Sequence, residues 1–157
     1  DNEAIIQALS KLKDAVGDRV ILTAGKMHAS GIISEAGEKI LTEKDIVDFI
    51  DAGADVILLP APGTVPGITM EYAGKLIKKA HEKGALAMTT IGTSQEGADE
   101  DTIRQIALMC KMAGADIHHI GDSGYMGMAL PENITAYSVA IRGKRHTYRR
   151  MAMSLLR

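Results

Sequence analysis

The chain of 157 residues has few of the side chains that mark several common classes of protein. Trp is absent, Phe occurs once and aromatic residues make up 3% of the chain, so the stacking platforms of single-strand nucleic-acid binders are missing. The net charge of -2 argues against a broad nucleic-acid surface. The one cysteine, Cys110, cannot form an internal disulfide, so a reducing, cytoplasmic setting is expected. No apolar run approaches the roughly 18 residues of a membrane span.

The composition is that of a soluble globular protein, with 46% hydrophobic and 24% charged residues. We therefore predict a single domain over residues 1–157, with a basic C-terminal helix at about 131–157, begun by Pro131 and bent near Gly143. The opening DNEAIIQAL lacks the features of a secretory signal. It starts inside a predicted helix without Met, which is expected of a piece of a longer protein.

A repeat organises the chain. AGAD occurs at 52–55 and again at 113–116, and KGAL at 83–86 falls between them, which spaces Gly53, Gly84 and Gly114 by 31 and 30 residues. Each glycine follows an amphipathic stretch and precedes an apolar run, so each is predicted to end a helix and lead into a strand. GDRVILTAG, around Gly17, is a fourth copy.

Nearly continuous apolar runs predict parallel strands that are covered on both faces. The runs are RVILTAG (19–25), DVILLPA (55–61), ALAMTTIG (85–92) and DIHHIGD (116–122). The intervening segments have helical stripes: Ile5, Leu9, Leu12 and Val16 in one, and Ile103, Ile106, Cys110 and Ala113 in another. Thr42 with Asp45 predicts a capping box, and the position of Cys110 on its stripe favours an inert core thiol.

Four strand-helix units of about 30 residues indicate an α/β fold with parallel βα units. A small open doubly wound sheet and half of an eight-stranded barrel both fit. Long, Gly-rich loops after the strands and short returns before them are typical of a TIM barrel, so we predict half of a (β/α)8 barrel preceded by a helix. Because a half barrel has two open strand edges, we expect its partner to be a missing N-terminal half-barrel or a second copy of the chain.

Long motifs give a family resemblance. AGKMHASGIISEAGEKILT, LLPAPGTVPGIT and TTIGTSQEGADEDTIRQIALMCKMAGADIHHIGDSGYMG together resemble an uncharacterised bacterial TIM-barrel family whose members often carry the name haloacid dehalogenase-like hydrolase. The resemblance implies that the chain corresponds to strands five to eight. It does not support the hydrolase chemistry, because the nearest string to DxDx(T/V), DEDTI at 99–103, opens a predicted helix instead of closing a strand.

Reactive groups of barrels lie at the carboxyl ends of the strands and in the loops that follow. The loop after the first strand contains Lys26, which could hold an anion or form a Schiff base, and His28, which could share acid and base chemistry with Glu35 or Glu38. A solvated loop with structural ion pairs is the alternative. Of this group, Lys26, His28 and Glu35 are predicted catalytic residues.

Two later loops are predicted to bind phosphate. Gly92, Thr93 and Ser94 follow the third strand and could present amides and hydroxyls to an anion, as loops after strands seven and eight of barrels frequently do. The same residue types are also common before any helix. APGTVPGIT, at 61–69, has two prolines and two glycines and favours a rigid pocket wall without a catalytic role.

The stretch HHIGDSGYMG closes the last strand. Adjacent strand residues point to opposite faces, so His118 and His119 cannot both bind one metal ion, and we predict His119 as the inward, catalytic member. A buried structural histidine is the alternative for either. Asp122 is predicted to orient a histidine or bind a hydroxyl group. Phosphate ligands are predicted after the strand at Gly121, Ser123 and Gly124.

Three hypotheses follow: an enzyme half-barrel acting on a small phosphorylated or carboxylated metabolite, a non-catalytic anion-binding or regulatory barrel, and an inactive half-barrel that self-associates. The reaction stays open among lyase, isomerase, aldolase and hydrolase. No cofactor and no metal site are predicted, and a divalent metal has no support. The expected partner is a small anionic metabolite, and neither nucleic acid nor membrane is expected.

Overall fold

The protein is described by a computed structural model, which describes residues 2–27, 33, 36–122 and 129–153. Within these residues, five α-helices and four strands follow one another. They are α1 (Asn2–Val16), β1 (Thr23–Gly25), α2 (Glu43–Asp51), β2 (Val56–Pro60), α3 (Met70–Glu82), β3 (Leu86–Ile91), α4 (Glu100–Ala113), β4 (Ile117–Ile120) and α5 (Pro131–Ala152). Short 3-10 helices lie at Gly37–Ile40 and Gln95–Gly97.

The four strands form one parallel sheet in the order β1-β2-β3-β4, as the repeat predicts. Thr23 pairs with Val56, Val56 with Leu86, and Met88 with Ile117. Because each strand is followed by a helix that returns to the start of the next strand, the carboxyl ends of all four strands meet at one edge of the sheet. The loops at this edge are therefore the place to look for a functional site.

The helix boundaries have the local causes that the sequence predicts. Thr42 and Asp45 form the capping box, in which the Asp45 N–H donates to Thr42 Oγ1 and the Thr42 N–H donates to Asp45 Oδ2. Gly53, Gly84 and Gly114 have φ values of 113°, 84° and 98°. A residue with a Cβ is strained in this left-handed region, so glycine lets α2, α3 and α4 turn at once into the next strand.

The aspartates of the two AGAD motifs connect neighbouring strands. The carboxylate of Asp55 accepts a hydrogen bond from the Leu22 N–H at 2.8 Å, and that of Asp116 accepts one from the Ala87 N–H at 2.8 Å. The backbone N–H groups of the two aspartates donate to the carbonyl oxygens of Leu22 and Ala87 in return. Each aspartate therefore sets the register between the strand that it begins and the preceding one. His81 Nε2 lies 2.7 Å from Asp116 Oδ2, the same oxygen that accepts from the Ala87 N–H.

The core lies between the sheet and the helices. Ile57, Leu59 and Ala87 pack against α2 and α3, and Ile91 packs against α4 and α5, where Cys110 is fully buried. One detail of the predicted helical stripes is wrong. Leu12 is 49% exposed, whereas the other members of its stripe, Ile5, Leu9 and Val16, pack into the core together with Ile6.

The first strand is shorter than its apolar run. RVILTAG predicts a strand from Arg19, whereas β1 begins at Thr23. Thr23 pairs with Val56, the first residue of β2, so the residues before Leu22 extend past the end of the neighbouring strand. An apolar sequence without a paired neighbour cannot complete a ladder of hydrogen bonds, and Ile21 is 76% exposed.

The face of the sheet that points away from the helices is open and apolar. It borders a cavity of about 460 Å³ near the amino ends of the strands. The lining includes Val20, Ile21, Val56, Leu86, Met88 and Ile117. This face has the composition of a protein interior, and it runs between two edge strands, β1 and β4.

Helix α5 bends sharply. Gly143 has φ 79° and ψ 161° inside the helix, and the two parts fold against each other so that the hydroxyl oxygens of Ser138 and Thr147 lie 3.0 Å apart. Thr147 is consequently buried. In a straight helix nine residues would separate these groups by about 13 Å.

Removing the Asp116 carboxylate should weaken the link between β3 and β4. Burial raises the pKa of Asp116, but the hydrogen bonds from Ala87 and His81 outweigh it and hold the pKa below its ordinary value of 3.8. We expect Asp116→Ala to lower the free energy of unfolding by about 1–2 kcal/mol at pH 7. A folded pKa below the unfolded one stabilises the fold above pH 3.8, and this contribution disappears as the pH falls through the lowered value.

Urea unfolding of both proteins at pH 7 and below pH 3.8 measures this difference. Asp51→Ala is the control, since Asp51 is 60% exposed and pairs with Lys83 on the surface, and we expect it to change stability by less than about 0.5 kcal/mol. An Asp116→Ala effect no larger than that of the control contradicts the role given to this carboxylate.

Candidate active site

The carboxyl edge of the sheet collects several of the residues predicted to carry function. Lys26 follows β1 directly, Gly92 follows β3, and Gly121 and Asp122 follow β4. Lys26 is half-buried and Asp122 is exposed, and both have interactions with other residues. The further predicted residues His28, Glu35, Ser123 and Gly124 lie outside the described residues.

The two adjacent histidines lie on opposite faces of β4. His118 faces the helices, where its Nδ1 lies 3.0 Å from the Tyr137 hydroxyl of α5 and the two rings meet edge to face. His119 is exposed and, because side chains alternate along a strand, it points to the open face. The register pairs His119 with Thr90 of β3, so these two side chains are neighbours on that face.

On the helix side, His118 belongs to a small buried polar cluster. Tyr137 of α5 joins it, Cys110 and Thr89 lie beside the tyrosine hydroxyl, and the register pairs Thr89 with His118. Burial raises the pKa of Tyr137 and of Cys110 and lowers that of His118, with nearby Arg142 adding to the last effect. Neutral groups are thus favoured throughout, which is expected of a structural cluster.

On the open face, polar groups occur at the carboxyl end of the strands. Thr90 is 4% exposed, and its Oγ1 is buried without a hydrogen-bond partner. Beyond Thr90, the Met27 side chain lies close to Gly92: a Cβ at Gly92 would be 3.3 Å from the terminal carbon of Met27. Met27 therefore reaches from the end of β1 to the end of β3, where it lies beside Gly92, close to Thr90.

The loop from Gly92 to Ser94 has the geometry of a tight turn. Ser94 is exposed and has a φ of 80°, which is uncommon for a residue with a side chain. The Thr93 hydroxyl lies 2.8 Å from the Thr64 carbonyl oxygen and 2.7 Å from Gln95 Oε1. The single proton of this hydroxyl is therefore already engaged in holding the loops after β2 and β3 together.

The loops after β1 and β2 are also joined. The Tyr72 hydroxyl of α3 lies 2.9 Å from the Glu38 carbonyl oxygen and 3.0 Å from that of Leu41. Gly67 lies against the same segment, since a Cβ there would be 3.3 Å from the Glu38 nitrogen. Three successive loops at the carboxyl edge therefore support one another, as a preorganised site needs.

Two residues outside the predicted site complete this region. Glu96 is only 7% exposed and its Oε2 is buried without a hydrogen-bond partner. Asn133, in the first turn of α5, donates from Nδ2 to the carbonyl oxygens of Glu96 at 2.8 Å and Ala98 at 2.9 Å. Neither residue has a motif around it, because a Glu before a helix and an Asn in a first turn are common.

A metal site is not visible in the part of the chain that the structure describes: no three His, Cys, Asp or Glu side chains come together there in a way that could hold an ion. The helices of that part also include none that is long and apolar enough to cross a membrane.

The parallel sheet, the helices on one face and the polar groups at the carboxyl edge define an α/β protein built as half of a TIM barrel. Two solved structures have the same fold. Deoxyribose phosphate aldolase from Aeropyrum pernix, described as a unique tetrameric structure, has a TM-score of 0.64 and 16% identity over 90% of this chain and 57% of that one. A putative phosphonomutase from Burkholderia cenocepacia has a TM-score of 0.62 and 18% identity over 89% of this chain and 59% of that one.

The chain belongs to the family described as Domain of unknown function (DUF7916), whose model matches residues 1–157. Two relatives carry the name "Putative N-acetylmannosamine-6-phosphate 2-epimerase". The one from Haemophilus influenzae is 37% identical over 89 residues, which is 57% of this chain and 33% of the relative. The one from Actinobacillus pleuropneumoniae serotype 5b is 36% identical over 88 residues, which is 56% of this chain and 33% of that relative. The match thus spans a third of these relatives' length.

These comparisons support the predicted TIM-barrel fold. They give no support to the name haloacid dehalogenase-like hydrolase. The proteins named above are an aldolase, a phosphonomutase and epimerases, and haloacid dehalogenases are not among them. The DxDx(T/V) comparison agrees, because Asp99 caps α4 by accepting from the Thr102 N–H and does not close a strand.

Burial of His118 predicts that the pKa of its ring is lowered, which can be measured. We expect its ring to titrate below 6.5 in an NMR titration, because burial disfavours the charged form. A histidine whose folded pKa is lowered makes the fold more stable as the pH rises through the interval between that value and 6.5. Tyr137→Phe should keep the lowered pKa, since the ring stays covered, and should reduce the free energy of unfolding by about 1 kcal/mol through the lost hydrogen bond.

Tyr148→Phe is the matched control for stability, since Tyr148 is 53% exposed on the second part of α5. A His118 titration midpoint at or above 6.5 in the native protein contradicts the structural role of His118 on the helix side.

Proposed function

We propose that this chain is half of a TIM-barrel enzyme that acts on a small phosphorylated metabolite at the carboxyl edge of its strands. The observation that carries the proposal is the change from apolar to polar side chains along the open face. That face is apolar around Leu86, Met88 and Ile117 and becomes polar at Thr90 and His119, where the strands end. Reactive groups in TIM barrels occupy this end.

The first substrate to test is N-acetylmannosamine 6-phosphate, which the relatives' name contains. Inverting carbon 2 of such a sugar breaks a C–H bond next to a carbonyl group and forms it again on the opposite side, so the reaction needs proton carriers close to that carbon. His119 is the described residue that suits this work, and Lys26 and Asp122 lie at the ends of β1 and β4. His28 and Glu35 remain predictions for the same role.

The phosphate group is proposed to lie at the loops after β3 and β4, with backbone groups of Gly92 and Ser94 among its ligands and Ser123 and Gly124 as further predictions. Gly121, which is also a predicted ligand, is poorly suited to this role because its N–H already donates to the Ile91 carbonyl oxygen. The engaged Thr93 hydroxyl makes a positioning role better supported for that residue than direct phosphate binding. The tightly turned loop at Ser94 would present main-chain N–H groups, which suit an anion.

The site is proposed to become complete only when four more strands close the barrel. The open apolar face and the free edges of β1 and β4 require a covering layer. A groove of about 380 Å³ runs along β4 between Ile117 and the α5 residue Ile141, next to the edge that a further strand would pair with. The covering strands come from a preceding half-barrel of the same protein or from a second copy of the chain.

The assay for the proposed function uses the full-length protein with N-acetylmannosamine 6-phosphate in deuterated water. We expect proton NMR to show both the epimer and deuterium at carbon 2. The sugar without its phosphate should react at least about a hundredfold more slowly, because several charge-assisted hydrogen bonds are lost. His119→Ala should lower kcat by roughly 10²- to 10⁴-fold.

His146→Ala is the control, since His146 is exposed on α5, and it should leave the rate unchanged. If this sugar and a panel of other sugar phosphates are neither turned over nor bound, the proposed function is wrong. Binding without turnover favours the non-catalytic anion-binding alternative.

Barrel closure has its own test in the isolated 157-residue chain, where only a second copy can supply the missing strands. We expect light scattering to give a dimer or a larger assembly, and Met88→Glu to weaken it because a charge would be buried in the interface. Met112→Glu, on the outer surface of α4 where Met112 is 65% exposed, should leave the assembly intact. A stable wild-type monomer contradicts self-association.

A further inference from the structure

Glu96 has a buried carboxylate oxygen at the carboxyl edge of the sheet. The residue is 7% exposed, and Oε2 has no hydrogen-bond partner. Other carboxylates of the described chain have clear donors: Asp45 accepts from Thr42, Asp99 from Thr102 and Asp116 from Ala87. A buried carboxylate without a donor is destabilising, and such groups persist mainly where function requires them.

The side chain of Glu96 lies directly over the end of β4. A Cβ at Gly121 would be 3.7 Å from both Cγ and Cδ of Glu96 and 2.9 Å from the Ile91 carbonyl oxygen. The Glu96 side chain is therefore within van der Waals contact distance of position 121, while the Ile91 carbonyl oxygen is the group that excludes a Cβ there. Gly121 directly follows β4, which ends at Ile120, so the Glu96 side chain lies at the carboxyl edge of the sheet, where the loops after β3 and β4 meet.

The backbone of Glu96 is fixed by the fold. Asn133, itself 3% exposed, donates to the carbonyl oxygens of Glu96 and Ala98, so the first turn of α5 holds the loop after β3. The 3-10 helix Gln95–Gly97 adds hydrogen bonds from the Gly97 N–H to Ser94 and from the Ala98 N–H to Gln95. These hydrogen bonds fix the backbone position from which the Glu96 side chain extends.

We infer that Glu96 accepts a hydrogen bond from a hydroxyl or amide group of the bound metabolite and excludes a second anionic group from the position beside Gly121. The inference rests on the proposed function and narrows its substrate class to phosphorylated compounds with hydrogen-bond donors, such as sugar phosphates, against phosphorylated carboxylates. The phosphate of the same ligand is therefore placed at Gly92 and Ser94 and not beside Gly121, since two negative groups in contact repel each other.

The test compares the full-length wild-type protein with Glu96→Gln, which keeps the shape and removes the charge. Calorimetry uses three probes: an N-acetylhexosamine 6-phosphate, inorganic phosphate and 3-phosphoglycerate. For Glu96→Gln we expect the sugar phosphate to bind about 10- to 100-fold more weakly. Inorganic phosphate should bind within about twofold of wild type, and 3-phosphoglycerate at least about threefold more tightly because the repulsion is gone.

Two variants sharpen the comparison. Glu96→Asp keeps the charge and shortens the side chain. It should therefore weaken binding of the sugar phosphate, while 3-phosphoglycerate should bind as weakly as it does to the wild-type protein. Glu100→Gln is the matched control, since Glu100 pairs with Arg104 on the surface of α4, and it should change none of the three affinities. Urea unfolding of each variant verifies a cooperative fold.

The possible outcomes distinguish a failure of the Glu96 role from a failure of the proposed function. If the wild-type protein binds sugar phosphate and Glu96→Gln binds it equally well, the Glu96 role is overturned and the proposed function stands. An equal loss of affinity for all three probes also overturns it, because it indicates a displaced loop. If the wild-type protein binds neither phosphate nor sugar phosphate, the proposed function fails, and the Glu96 role falls with it.

Discussion

The register of β4 against β3 is the constraint on which the candidate site depends. Side chains alternate along a strand, so a slip of one residue would exchange His118 with His119 and move Gly121 to the helix side. Two interactions hold the register at the start of the strand: the Asp116 carboxylate accepts from the Ala87 N–H, and the Asp116 N–H donates to the Ala87 carbonyl oxygen. A contact at the amino end of the sheet thus determines what faces a ligand at the other end.

The two faces of β4 have different chemistry because its side chains alternate between the helix side and the open side. On the helix side, burial favours neutral forms of His118, Tyr137 and Cys110, and these groups connect the strand with α4 and α5. On the open side, the helix layer is absent, and His119 keeps access to solvent. One dipeptide therefore supplies a structural histidine and a candidate functional one, which a pattern of residue types alone does not distinguish.

The comparisons bear on the open face only through length. The relatives and solved structures that the chain matches are longer than the matched part, and the open face of the sheet is the surface that further strands would cover. The carboxyl edge is already supported within the chain, since Tyr72, Thr93 and Asn133 connect successive loops. Half of a site can thus be preorganised by half of a barrel, and the remaining groups depend on closure.

The sequence by itself determined the order of helices and strands, the parallel arrangement and the place of the loops, because apolar periodicity and glycines at helix ends are local properties. It also placed Thr42 and Asp45 in a capping box and Cys110 in the core. Only the tertiary structure decided that β1 begins at Thr23 and that Leu12 is exposed, because strand and helix limits depend on neighbours. The buried Glu96 and its Asn133 support likewise emerge only in three dimensions, since residues 37 positions apart meet through the packing of α5 against the loop after β3.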